Sequence, residues 1–123
     1  MRSGISFKLT FSSAHFYAQP KWSAEKNLQE FGKCFTPMGH GHNYVLEIDC
    51  EANAEAIKAQ AKKVVETLDH QHLNFVIPEF KDVVPTTENI AIYISKKIKE
   101  PLPAATFTLR LFEMDNLWTE IQN

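Results

Sequence analysis

At 123 residues the chain is the size of one domain, 1–123, with room for a real but modest core. Hydrophobic residues make up 44% of it and charged residues 23%, an ordinary globular balance that excludes a fibrous or disordered chain. A net charge of −2 without a basic cluster argues against nucleic acid or an anionic membrane surface as a partner. No apolar run approaches the roughly 18 residues that a transmembrane helix needs. Two cysteines do not make a disulfide framework, and Met1-Arg2-Ser3-Gly4 leads into an alternating pattern rather than a signal-peptide core. A reducing cytoplasm is therefore the expected setting.

Ile5, Phe7, Leu9 and Phe11 alternate with Ser6, Lys8, Thr10 and Ser12, which predicts a half-buried strand. Residues 17–33 read as a polar loop with a short helix from Ser23 toward Phe31. A second strand is expected to begin near His42, with Tyr44, Leu46, Ile48 and Cys50 on one face and Val45, Glu47 and Asp49 on the other. Residues 53–68 contain no Gly or Pro. There Ile57, Ala61, Val64, Val65 and Leu68 recur at helical spacing behind Asn53 as cap. Thr86 caps a second helix running to Glu100, with Ile90, Ile94 and Ile98 as its apolar stripe, and Pro101 and Pro103 end it. Phe107, Leu109 and Leu111 mark a third strand, and Leu117 to Ile121 a short fourth. The order β-β-α-α-β-β predicts an α+β domain, a four-stranded antiparallel sheet with two helices on one face.

The most informative segment is Cys34-Phe35-Thr36-Pro37-Met38-Gly39-His40-Gly41-His42-Asn43-Tyr44. Histidines two apart on an extended chain point to one side, so His40 and His42 can reach a single metal ion. His15 continues the phase of Phe7, Leu9 and Phe11, and an antiparallel neighbour would bring it to the same place. Three neutral imidazoles around Zn2+ leave a fourth position for water or substrate, as in catalytic sites. The competing reading is a polar turn whose histidines are incidental; His15 in register favours the metal. Cys34 is either a further ligand or a reactive thiol. The turn at Thr36-Pro37-Met38-Gly39 can hold it apart from the metal, and a thiol beside a divalent cation has a lowered pKa and is a plausible base. Cys50, in phase with Leu46 and Ile48, reads as a small buried residue.

Asp69-His70 directly follows a helix end. The pair suits a proton relay, but helix-end electrostatics explains it more simply. Glu113 shares its phase with Phe107, Leu109 and Leu111, placing a carboxylate on an otherwise apolar face. A ligand with two parallel N–H donors would satisfy it there, or it reaches solvent at a rim. Thr86-Thr87-Glu88-Asn89 is explained by capping, with polar contacts to a ligand as the second reading. His72 has no evident role and reads as a surface residue.

Together these residues resemble the 6-pyruvoyl-tetrahydropterin synthase family, with a visible relation to the 6-carboxy-tetrahydropterin synthases of queuosine biosynthesis. The resemblance runs through Phe11-Ser12-Ser13-Ala14-His15, Phe31-Gly32-Lys33-Cys34, Gly39-His40-Gly41-His42-Asn43-Tyr44, Leu68-Asp69-His70, Thr86-Thr87-Glu88-Asn89 and Glu113. It implies the tunnelling fold (T-fold), in which strands of three subunits close a barrel and two trimers stack into a homo-hexamer with active sites at interfaces. It implies His15, His40 and His42 as zinc ligands, Cys34 as the catalytic thiol and Asp69-His70 as its helper pair, across an interface. It implies that Glu113 anchors the pterin, with Thr86, Thr87 and Glu88 as substrate contacts. The implied reaction is a carbon–oxygen lyase step of tetrahydrobiopterin biosynthesis, from 7,8-dihydroneopterin triphosphate to 6-pyruvoyl-tetrahydropterin with loss of triphosphate. Alternatives are the carboxy-type synthase and a non-catalytic pterin- or zinc-binding homologue.

Five residues separate Cys34 from His40, the spacing of the pyruvoyl type; carboxy-type enzymes have a shorter gap. No glutamate lies between them, which weighs against variants that cleave the side chain for folate synthesis. Family members usually insert a turn and a short strand after the second strand. Here Glu51-Ala52-Asn53 is expected to lead straight into helix, which bears on the sheet edge and the oligomer.

Overall fold

The computed structural model describes residues 4–19, 21–32 and 39–123. Its elements are β1 (Ile5–His15), α1 (Ala24–Phe31), β2 (His40–Cys50), α2 (Ala54–Leu68), β3 (Gln71–His72), α3 (Leu73–Val76), α4 (Thr87–Lys99), β4 (Thr108–Met114) and β5 (Leu117–Gln122). A 3-10 turn over Pro78–Lys81 precedes α4. The sheet order is β3-β1-β2-β4-β5.

Alternation settles the inner face. Phe7, Phe11, Tyr44, Leu46, Ile48, Leu109 and Leu111 are buried against Ile57, Ala61 and Leu68 of α2 and Ile90, Ile94 and Ile98 of α4. Each such side chain contributes about 1.5–3 kcal/mol on burial, so this layer holds both helices to one face. The outer face carries Arg110, which binds Glu47 (3.0 Å), Asp49 (2.7 Å) and Glu120 (2.7 Å) across three strands. Cys50 is buried in the core as expected, and burial pushes its thiol pKa up. No helix among the described residues is long and apolar enough to cross a membrane.

Several expectations are corrected. The sheet has five strands rather than four and is mixed, because β3 runs parallel to β1 through Ser13–Gln71 and Ala14–His72. A strand of two residues has no alternation to read, and its pairing depends on the preceding turn. That turn is made by Asp69, whose N–H bonds the Val65 carbonyl at 2.9 Å, and by His70 at φ 59. The left-handed backbone at His70 reverses the chain onto β1, a conformation uncommon outside Gly. Residues 73–81 add α3 and the 3-10 turn, both too short to show a helical period.

The second strand starts at His40, two residues before the expected position. Asn53 stands at the start of α2 without a side-chain cap bond; it takes φ 59 and turns the chain instead. Glu51-Ala52-Asn53 does lead directly from β2 into α2. Thr86 caps as expected, accepting from the backbone N–H of Asn89, and Ser23, at the start of the expected short helix, accepts likewise from Lys26 N.

Candidate metal centre

Antiparallel pairing sets His15 directly opposite His40 and Ser13 opposite His42. His15, His40 and His42 all point inward at the end of the sheet where the apolar layer stops. Their rings form a triangle, with centroids 4.8 Å apart for His15–His40, 5.1 Å for His15–His42 and 4.8 Å for His40–His42. His15 Nε2 lies 3.2 Å from His40 Nε2.

Glu113 enters from β4, in phase with Leu109 and Leu111. It lies at an irregularity between Phe112 and Met114 where the β4–β5 register shifts. Bulges of this kind re-aim side chains next to functional sites. Glu113 Oε1 is 2.6 Å from His42 Nε2 and 3.7 Å from His15 Nε2. Its Oε2 accepts a 2.7 Å hydrogen bond from Thr87 Oγ1 in the first turn of α4. The carboxylate is 7% exposed, so both oxygens are held inside the protein.

The donor atoms of His15, His40, His42 and Glu113 all lie within 4.8 Å of one another. Although His42 Nε2 is close to Glu113 Oε1, the two are not aligned as a hydrogen bond, and this buried nitrogen has no hydrogen-bond partner. A buried nitrogen in that position costs free energy unless something binds it. Three imidazole nitrogens and one carboxylate oxygen converging on a point fit Zn2+.

Electrostatics supports the same use. Burial, and then the neighbouring His40, His42 and His72, lower the His15 pKa to about 3, against a weaker opposing effect of the Pro85 carbonyl. Burial likewise lowers that of His42, with Glu113 opposing and His40 assisting. Both rings are thus neutral near pH 7, the form that offers a lone pair to a metal.

The surroundings brace the centre. Asn74 clamps the residue after His15, accepting from Phe16 N at 2.8 Å and donating to Phe16 O at 2.9 Å. Gly39 sits at φ +72 with His15 O and His72 Nε2 so close that a Cβ would lie 2.4 and 2.8 Å from them. Only glycine suits that position.

His72 is therefore not a plain surface residue. It is half-buried in β3, packed against the Phe75 ring with centroids 4.4 Å apart and planes tilted by 33°, and contributes to the field on His15. Tyr44 was legible only as a core residue; its hydroxyl lies 3.1 Å from His15 Nδ1. The signal was available, since Tyr44 shares the inward phase of His40 and His42.

Asp69 and His70 form a second group. Asp69 Oδ2 is 3.0 Å from His70 Nδ1, while Asp69 Oδ1 accepts from Ser12 N at 2.8 Å. Those contacts hold the Asp69 carboxyl below the usual carboxylate range, the Ser12 N–H foremost. The His70 side chain is 81% exposed. It shares a cleft of about 490 Å³ with Ser12, Asn43, His42 and His72. Thr86 is committed to capping and buried Thr87 to Glu113, while Glu88 is exposed in the first turn of α4. Cys34 lies outside the described residues.

Comparison with known proteins gives the family of the chain. Residues 4–123 match the family described as 6-pyruvoyl tetrahydropterin synthase. The chain is similar to the 6-pyruvoyl tetrahydrobiopterin synthase of Pongo abelii, 38% identical over 91% of this chain and 86% of that one. Similarity to the Homo sapiens protein of the same name is 37%, with the same coverage. The structure resembles that of Caenorhabditis elegans 6-pyruvoyl tetrahydropterin synthase with a TM-score of 0.89 and 28% identity, covering 98% of this chain and 95% of the other. The backbone is thus the tunnelling fold. With one family matched along 4–123 and its fold reproduced, this chain belongs to the 6-pyruvoyl tetrahydropterin synthase family.

Proposed function

We propose that the chain is a zinc-dependent lyase that converts 7,8-dihydroneopterin triphosphate to 6-pyruvoyl-tetrahydropterin and triphosphate. The observation that carries this reading is the convergence of His15, His40 and His42 beside Glu113 in a chain of this family. In this reading His15, His40 and His42 hold Zn2+, which when bound supplies a Lewis acid for the side-chain hydroxyls of the substrate.

Protons at the side-chain carbons are moved by the Cys34 thiolate, assisted by His70. Asp69, tied to the Ser12 backbone, orients the His70 imidazole through Nδ1 and leaves Nε2 for transfer. Loss of a proton and of triphosphate forms the side-chain enol, which reverts to a ketone. Further proton transfers oxidise the one remaining hydroxyl carbon to a ketone and reduce the dihydropterin ring by the same two electrons, so the redox change is internal and needs no nicotinamide or flavin.

Pterin recognition falls to the polar groups at the α4 start. Glu113 is a candidate anchor only if it exchanges its His42 and Thr87 contacts for the substrate's N–H edge. Exposed Glu88 has a carboxylate without that commitment, and Thr86 and Thr87 lend backbone groups nearby.

Assembly into a hexamer belongs to the same proposal. In support, β5 is a sheet edge, and from Ile5 to Phe11 β1 has no strand partner on its other side among the described residues. Such edges favour pairing with further copies. The exposed His70, beyond the end of α2, then serves a neighbouring Cys34.

Incubating purified, zinc-loaded protein with 7,8-dihydroneopterin triphosphate and identifying products by mass spectrometry tests the reading. We expect 6-pyruvoyl-tetrahydropterin and triphosphate, lost in Cys34→Ala. A carboxy-pterin with acetaldehyde would assign the carboxy-type reaction instead, and binding without turnover a non-catalytic role.

A further inference from the structure

We propose that Tyr44 is a positioning residue for the metal centre, its buried hydroxyl fixing the orientation of the His15 ring and satisfying Nδ1 in either tautomer. The inference rests on the metal reading above and adds a residue to it. Tyr44 and His15 are both fully buried, each at 0% exposure, with Tyr44 Oη 3.1 Å from His15 Nδ1. Tyr44 lies on the inward face of β2 two residues beyond His42, and its ring stacks on Phe11 of β1 at 4.9 Å and 12°. That stack sets the ring plane, so the hydroxyl has little freedom to leave His15.

The chemistry of imidazole makes the contact consequential. His15 presents Nε2 toward His40 and Glu113, so Nε2 is the nitrogen that would meet a metal. A neutral imidazole that offers Nε2 as a lone pair carries its proton on Nδ1, and that N–H needs an acceptor. Tyr44 Oη lies at hydrogen-bond distance from it. Without metal, the 3.2 Å contact between His15 Nε2 and His40 Nε2 needs a proton on one of them. If His15 carries it, Nδ1 becomes the acceptor and the tyrosine O–H donates. A hydroxyl serves in either state, whereas a carbonyl or carboxylate serves only one.

The outer partner of a metal-bound histidine is worth about 10–100-fold in metal affinity. Tyr44→Phe preserves the ring and its stack and removes only the hydroxyl. Zinc affinity of the purified chain is to be measured by competition with a chromophoric chelator, beside the cobalt(II) absorption spectrum and the thermal unfolding of the metal-free form. Expected is an affinity loss of about 10–100-fold with a shifted cobalt band. Unchanged affinity and spectrum would overturn the role of Tyr44 while leaving the metal centre standing. Wild-type protein that binds no zinc would instead remove the metal reading itself. A second measurement does not depend on the variant folding. Nitrogen-15 spectra of the zinc-loaded wild type are expected to show His15 protonated on Nδ1, and protonation on Nε2 would refute the assignment.

Discussion

Thr87 Oγ1 donates a 2.7 Å hydrogen bond to Glu113 Oε2, tying the first turn of α4 to the carboxylate beside the three histidines. Both residues are buried, Thr87 at 4% and Glu113 at 7% exposure. One helix start thus helps place the oxygen that faces His42. Thr87→Val keeps the shape and removes the donor, leaving a buried carboxylate oxygen short of a partner. We expect a loss of about 1–3 kcal/mol in urea denaturation of the metal-free protein. Thr87→Ser is expected to recover most of it.

His15 is the one of the three histidines that lies outside the His40-Gly41-His42 motif, and it is the most deeply buried of them. His15→Ala removes one of three nitrogen donors. Zinc affinity is expected to fall by more than the roughly 10–100-fold that loss of a mere supporting contact costs. Equilibrium dialysis with metal analysis measures it, and full retention of zinc would exclude His15 as a ligand.

Gly39→Ala tests the backbone rather than a ligand. The new methyl would meet the His15 carbonyl oxygen, and φ +72 is unfavourable for any side chain. Together these effects are expected to destabilise the fold by at least about 2 kcal/mol. Thermal unfolding reads the loss, and zinc affinity is expected to fall with it because His15 must shift.

Asp49 gives the pH dependence. Hydrogen bonds from Ser6 and then Arg110 hold its carboxyl below the ordinary range, partly offset by burial. A folded-state pKa below the unfolded value adds stability above the unfolded pKa, and that increment is lost as pH falls through the folded one. Asp49→Asn should therefore flatten the acid side of the stability profile and leave its shape above pH about 5 unchanged. The side chain is 36% exposed, so screening keeps the difference under about 1 kcal/mol. Urea midpoints measured across the acid range check it.

Much of the fold was legible because strand alternation and helical spacing are local. Ser23 and Thr86 announced their helices, and the isoleucines of α4 their buried stripe. What escaped were pieces shorter than their own period. β3 has two residues and α3 four, and both depend on the left-handed turn at His70. Asn53 was read as a cap from its residue type, yet the abrupt passage from β2 to α2 uses it as a left-handed hinge.

The centre divides in the same way. From sequence alone the two-residue period put His15 in phase with Phe7 and Phe11, His40 and His42 in phase with Tyr44, and Glu113 in phase with Leu109 and Leu111. That determined which residues face inward, because the period depends only on neighbouring backbone. The partners needed tertiary structure. The register set His15 across from His40, the irregularity at Glu113 accompanied its approach to His42, and the α4 start delivered Thr87. These contacts join residues 25 or more positions apart, and strand pairing and helix docking decide them where no local pattern can.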